Sequence, residues 1–229
     1  MMATQGPEGA RLRNSRSGKS ARRATFYRET PELRRVVNRL RDIAVREGGP
    51  AARSQIALTL LTSAPDGSAL GAGRRSAVPV YPASVVKLFY LAAAQAWLAQ
   101  GRLAWTAELS RALSAMIRQS SNDATNYIVD LLTGTTGGPE LPKAALGRWL
   151  RRRRAVQRYF ERWRWPEFAP IRVTQKTWDD SPYGREQQSR ISVANNRNRL
   201  TADAVARLLW AIDRGEVVSP AACQRQRSK

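Results

Sequence analysis

Apolar residues recur at helical spacing through much of this chain. Leu33, Val36, Val37, Leu40, Ile43 and Ala44 form one stripe, which predicts an amphipathic helix starting near Pro31 and stopped by Gly48-Gly49-Pro50. The period then shortens. Ile56-Ala57-Leu58-Thr59-Leu60-Leu61 reads as a strand, Pro65-Asp66-Gly67 as a hairpin turn, and Ala77 to Val80 as a second strand. From Val85 to Leu98 the chain is apolar nearly all round, with Lys87 its only charge, the pattern of a helix buried on every side. Leu109, Ala112, Leu113, Met116 and Ile117 predict a helix ending near Gln119. Tyr127, Ile128, Leu131 and Leu132 predict another, starting around Asp123 and stopped by Gly134. Trp149, Leu150, Val156, Phe160 and Trp163 predict one amphipathic helix over Arg148 to Arg164. A last helix is capped near Thr201 and carries Val205, Leu208, Leu209 and Ile212. The fold class this implies is α/β (α+β), a helical lobe packed beside a partial antiparallel sheet.

Composition narrows the choices. At 229 residues the natural count is one domain of two lobes. The Arg-, Ser- and Gly-rich residues 1–28 are expected to be a basic disordered segment, 29–216 the folded domain, and 217–229 a divergent basic tail. One cysteine allows no internal disulfide, and the absence of histidine and of paired cysteines gives no metal-site spacing. Neither a secretory signal with an apolar core nor a run long enough to cross a membrane is visible. A monomer without cofactor is expected. The net charge of +21 and the run Arg151 to Arg154, near Trp149 and Tyr159, raise a nucleic-acid reading. Arginine is spread along the whole chain, however, and a charge run is usually a solvated face, so a biased composition is the favoured explanation.

The chemistry sits in Ser84-Val85-Val86-Lys87, at the start of the buried helix. A serine hydroxyl needs a base to become a nucleophile. With no histidine, a Ser-His-Asp triad is excluded. Positions i and i+3 share a helix face, so Lys87 can lie beside the Ser84 hydroxyl, and burial lowers a lysine's pKa toward that of a usable base. A capping serine and a lysine reaching for the surface would give the same pattern. Farther on, Ser120 and Asn122 fall in the short turn between two helices, where a hydroxyl and a carboxamide can project together into a cleft or cap the next helix.

Together, Ser84-x-x-Lys87 and Ser120-Ser121-Asn122 resemble the first two signatures of the serine β-lactamase and penicillin-binding family, S-x-x-K and S-D-N. Serine holds the middle place usually taken by aspartate. Met116-Ile117 before the second motif and Ala124 and Asn126 after it also look like the class A branch, and the resemblance covers about residues 30 to 220. It implies that Ser84 attacks the carbonyl of a β-lactam or a peptidoglycan-like acyl-peptide, and that Lys87 accepts or relays the proton. Ser120 would pass a proton to the leaving nitrogen, Asn122 would hold the substrate side-chain amide, and the Ser84 backbone N–H would supply half of an oxyanion hole. A glutamate should activate the hydrolytic water. Counting back from the Thr201 helix favours Glu186 over Glu167. The third signature, K-T-G, should follow that helix and is missing. Lys176-Thr177-Trp178 lacks the glycine and precedes the helix, so it is no substitute. A C-terminally truncated or frameshifted chain with impaired activity is the expectation, alongside a non-catalytic peptidoglycan-binding pseudoenzyme. The family acts outside the cytoplasmic membrane. A cytoplasmic protein, or a start codon assigned in the wrong place, would both fit the lack of a visible signal.

Overall fold

The computed structural model of the protein describes residues 25–194 and 196–217. The expected disorder of residues 1–24 and the divergent tail 218–229 lie outside the described residues.

A short strand, β1 (Arg28–Glu29), opens the described chain, and α1 (Pro31–Gly48) follows it. The Thr30 side chain accepts a hydrogen bond from the Leu33 N–H and Pro31 occupies the first turn, which fixes the start of α1. Its predicted stripe is only half covered. Val37 is buried, whereas Val36, Leu40 and Ile43 are exposed. A single turn, α2 (Ala52–Gln55), leads into the hairpin of β2 (Leu58–Ser63) and β3 (Ala69–Arg74). These two strands pair antiparallel with Leu58 opposite Arg74 and Ser63 opposite Ala69; β1 adds in parallel on the other side of β3.

The second strand lies earlier than its hydrophobicity suggested. Ala-Leu-Gly-Ala-Gly-Arg pairs with β2, while of residues 77 to 80 only Val80 pairs, as a single antiparallel bridge to Leu200. Close packing explains the choice. A Cβ at Gly71 would stand 2.7 Å from Tyr27 Cδ2, so the glycine makes room for the buried Tyr27 ring.

After a 3-10 turn (Ala83–Val85), α3 (Val86–Ala99) runs through the middle of the molecule. Val86, Phe89, Tyr90, Ala93 and Trp97 on it are almost fully buried. Fully burying a side chain such as Val86 or Phe89 contributes roughly 1.5–3 kcal/mol. Against α3 pack α4 (Ala107–Arg118) and α5 (Asn122–Thr133). Gly134 ends α5 in the left-handed conformation, φ 60°, with its N–H on the Asp130 carbonyl.

The arginine-rich stretch is two helices rather than the one predicted. α6 (Lys143–Arg153) stops at Arg154, and α7 (Ala155–Glu161) resumes at once on a new course. Two demands compete at the break. Arg153 turns inward to a buried carboxylate, while Phe160 must join an aromatic cluster with Phe89, Phe168 and Trp163. The Gln157 carboxamide also bonds the backbone at Ile171 and Val173, tying α7 to the chain that follows.

Beyond a 3-10 turn (Pro166–Phe168), residues 174–179 form an extended strap held by Asn196 and Asn198. Then come α8 (Gly184–Ser192) and α9 (Ala202–Asp213), the latter capped by Thr201. Buried Asp203 accepts hydrogen bonds from Thr59 and Tyr27, fastening α9 to the sheet. The result is a mixed α/β fold, a helical lobe beside a small partial sheet. No helix among the described residues is long and apolar enough to cross a membrane.

Candidate active site

Two turns meet over the N-terminal end of α3. The first carries Ser84 and the second carries Ser120. Both contain a non-glycine residue in the left-handed region, Ala83 at φ 44° and Ser120 at φ 55°. Such a conformation costs on the order of 1–3 kcal/mol and persists only where surrounding contacts enforce it. At Ser120 its effect is visible: both the carbonyl and the hydroxyl of that residue reach Lys87.

Lys87 is the hub. Its side chain rises from the first turn of α3 and is 2% exposed. The Nζ lies 3.1 Å from Ser84 Oγ, 3.0 Å from Ser120 Oγ and 3.0 Å from Asn122 Oδ1, and it also donates to the Ser120 carbonyl. Ser120 Oγ is 2.8 Å from Ser84 Oγ. Four residues singled out from sequence, Ser84, Lys87, Ser120 and Asn122, therefore form one hydrogen-bonded cluster, with both serines open to solvent.

The capping alternative is answered locally. Ser121, the residue where the motif usually has aspartate, is the N-cap of α5 and accepts the Ala124 N–H at 3.1 Å. That leaves the side chains of Ser120 and Asn122 for the cluster.

The donors and acceptors around Lys87 define what it can do. The Ser120 carbonyl can only accept. Asn122 Oδ1 can only accept too, because its Nδ2 donates to Asp179 Oδ1 and a flipped amide would face a donor and a carboxylate the wrong way round. A neutral amine has two N–H bonds, and these two acceptors use both. Its lone pair is then left to the Ser84 and Ser120 hydroxyls. Desolvation pulls Lys87 below the ordinary lysine range, and the Asp179 carboxylate opposes that shift.

Asp179 was not singled out from the sequence. It stands at the end of the 174–179 strap, which runs along one face of α5. Asp179 meets Asn122, Thr177 N–H meets Asn126 Oδ1 at 3.1 Å, and Lys176 meets Asp130 at 2.6 Å. Asn122, Asn126 and Asp130 recur every four residues, and that helical spacing was the one available signal.

The two candidate glutamates lie elsewhere in the bonding network. Glu186, in the first turn of α8, is 3% exposed and paired with Arg153, itself 2% exposed, with Lys176 Nζ at 3.8 Å. Burial pushes the Glu186 carboxyl up, and burial likewise pulls Arg153 down, each opposed by the other's charge. Glu167 is also buried and accepts the Phe26 N–H at 3.1 Å. Neither bonds to Ser84, Lys87, Ser120 or Asn122. Lys176, in the Lys176-Thr177-Trp178 stretch, is paired with Asp130 at 2.6 Å.

Among the concavities of the described surface, two contrast in their lining. One of about 600 Å³, lined by Arg34, Arg53, Arg74 and Arg75, contains none of the candidate residues. An apolar one of about 430 Å³ lies between β2, α9 and the Tyr81-Pro82 approach to Ser84. No group of three or more metal-ligating side chains occurs among the described residues.

No protein-family model and no curated protein matches the sequence. Among solved structures, a variant of the last common ancestor of Gram-negative bacterial class A β-lactamases is similar, with a TM-score of 0.46 and 19% sequence identity. The similarity covers 84% of this chain and 66% of that one, so the chain spans just under two thirds of the length of that protein.

Proposed function

We propose that the protein is a serine hydrolase of the β-lactamase-like class, in which Ser84 is acylated by a β-lactam ring or a related acyl-peptide amide. The observation that carries this reading is the contact of a nearly buried lysine amine, 3.1 Å away, with an exposed serine hydroxyl. The resemblance of the two sequence motifs to the family points the same way.

Acylation follows from the contacts. Neutral Lys87 takes the Ser84 proton as the Ser84 oxygen bonds to the substrate carbonyl carbon. The Ser84 backbone N–H stabilises the oxyanion. As the amide C–N bond breaks, the Ser120 hydroxyl gives its proton to the leaving nitrogen and recovers one from Lys87, which returns to the neutral amine. Hydrolysis then needs an activated water. Glu186 is paired with Arg153 and Glu167 accepts the Phe26 N–H, and neither bonds to the Ser84 cluster where that water must sit, so deacylation lags behind acylation. The expected kinetics are one rapid equivalent of acylation followed by slow turnover.

A fluorescent penicillin tests this. Wild-type protein should take up one label per chain, resistant to denaturation, and Ser84→Ala should take up none. Equal labelling of folded Ser84→Ala would overturn the assignment.

A further inference from the structure

Whenever Lys87 is neutral, and so able to act as a base, the hydrogen-bonded cluster of the candidate site carries one negative charge and no cation to offset it. That charge is Asp179. Its Oδ1 accepts from Asn122 Nδ2, and Asn122 Oδ1 in turn accepts from Lys87 Nζ, so carboxylate and amine are separated by a single carboxamide. Asp179 is exposed. Basic residues outnumber acidic ones 39 to 18 in this chain, yet among the described residues no lysine or arginine forms an ion pair with Asp179. The strap's other charged side chain, Lys176, is held by Asp130 at 2.6 Å. The mouth of the site thus offers a carboxylate with open acceptor capacity beside the nucleophile, and among the described residues no arginine bonds to the cluster to receive an anion.

We infer that Asp179 is a cation-binding subsite that selects acyl substrates bearing a protonated amine close to the reactive carbonyl. The inference rests on the hydrolase reading and names its substrate class. An ammonium against Asp179 makes a charge-assisted hydrogen bond. It also supplies the positive charge that Lys87 gives up on becoming a base, so binding of the substrate and readiness of the nucleophile favour one another. Asn122 keeps its second amide N–H for a substrate carbonyl, since Asp179 uses only one.

The test is a pair of probes that differ by one amine, α-aminobenzylpenicillin and benzylpenicillin. The rate of Ser84 acylation by each is read from the intact mass of the full chain, at a pH below the amine's pKa, about 7.7 for an α-amino group. Wild-type protein should react about tenfold faster with the amine-bearing probe, the size expected of one hydrogen bond to a charged group. Asp179→Asn should bring the two rates together, whatever it does to their absolute size, and in wild type the preference should fade above the amine's pKa. Equal rates in wild type, or a preference that survives Asp179→Asn, overturn the subsite while leaving the hydrolase reading intact. Absence of any adduct from either probe overturns both.

Discussion

Two nearly buried lysines face the same helix from opposite surroundings. Lys87, 2% exposed, is surrounded by hydroxyl and carbonyl oxygens, while Lys176, 8% exposed, meets the carboxylates of Asp130 and Glu186. The first environment lacks a carboxylate in contact and lets desolvation act, which suits an amine that must lose its proton. The second is a charged network in which lysine is a counter-ion. The difference lies in what α5 and the facing strap present at each end: Asn122 toward Lys87, Asp130 toward Lys176. Burial alone therefore does not distinguish the two lysines; the neutral acceptors around Lys87 and the carboxylates around Lys176 do.

The largest effects should appear at the charged end. Arg153→Met leaves buried Glu186 with only its longer 3.8 Å contact to Lys176 and should cost up to about 3–5 kcal/mol in denaturant unfolding. Pairing it with Glu186→Gln should recover most of that loss, because desolvation outweighs attraction for both partners. Lys87→Met strands no charge and should cost only about 1 kcal/mol for its lost hydrogen bonds. A Lys87→Met variant as destabilised as Arg153→Met would erase the contrast between the two ends.

A second contrast is electrostatic. Acylation needs neutral Lys87, so its rate should rise with pH through a midpoint below the ordinary lysine value of about 10.4. Asp179 favours the charged form, so Asp179→Asn should move that midpoint to lower pH. An unchanged or higher midpoint would mean that Asp179 does not act on Lys87. The smallest effect belongs to Arg154, next to Arg153 but 47% exposed and weakly paired with Glu161 at 3.4 Å. Arg154→Ala should change stability by less than about 1 kcal/mol in the same unfolding measurement.

Arg153 and Arg154 also mark the limit of what was legible in the sequence. Their letters are identical and adjacent, so only the break between α6 and α7 decides which turns inward. That break depends on Glu186 and on the aromatic cluster, both set by distant chain. The same holds for β3, whose glycines are chosen by the Tyr27 ring rather than by strand propensity. The helices around the candidate site were readable because local rules fix them: the i, i+3 spacing of Ser84 and Lys87, the apolar run of α3, the Gly134 stop. Ser120 and Asn122 were legible as a motif, but the cap at Ser121 that frees them was not. Asp179 was invisible because nothing local distinguishes it; its place comes from a strap laid along α5.

The most direct measurement is the rate of covalent labelling at Ser84, located by peptide mass mapping after treatment with a β-lactam, in wild type and in Lys87→Met. A lysine acting as the base predicts a Ser84 adduct in wild type and at least about a hundredfold slower labelling in the variant, the scale of one general base. Equally fast labelling of folded Lys87→Met would contradict it.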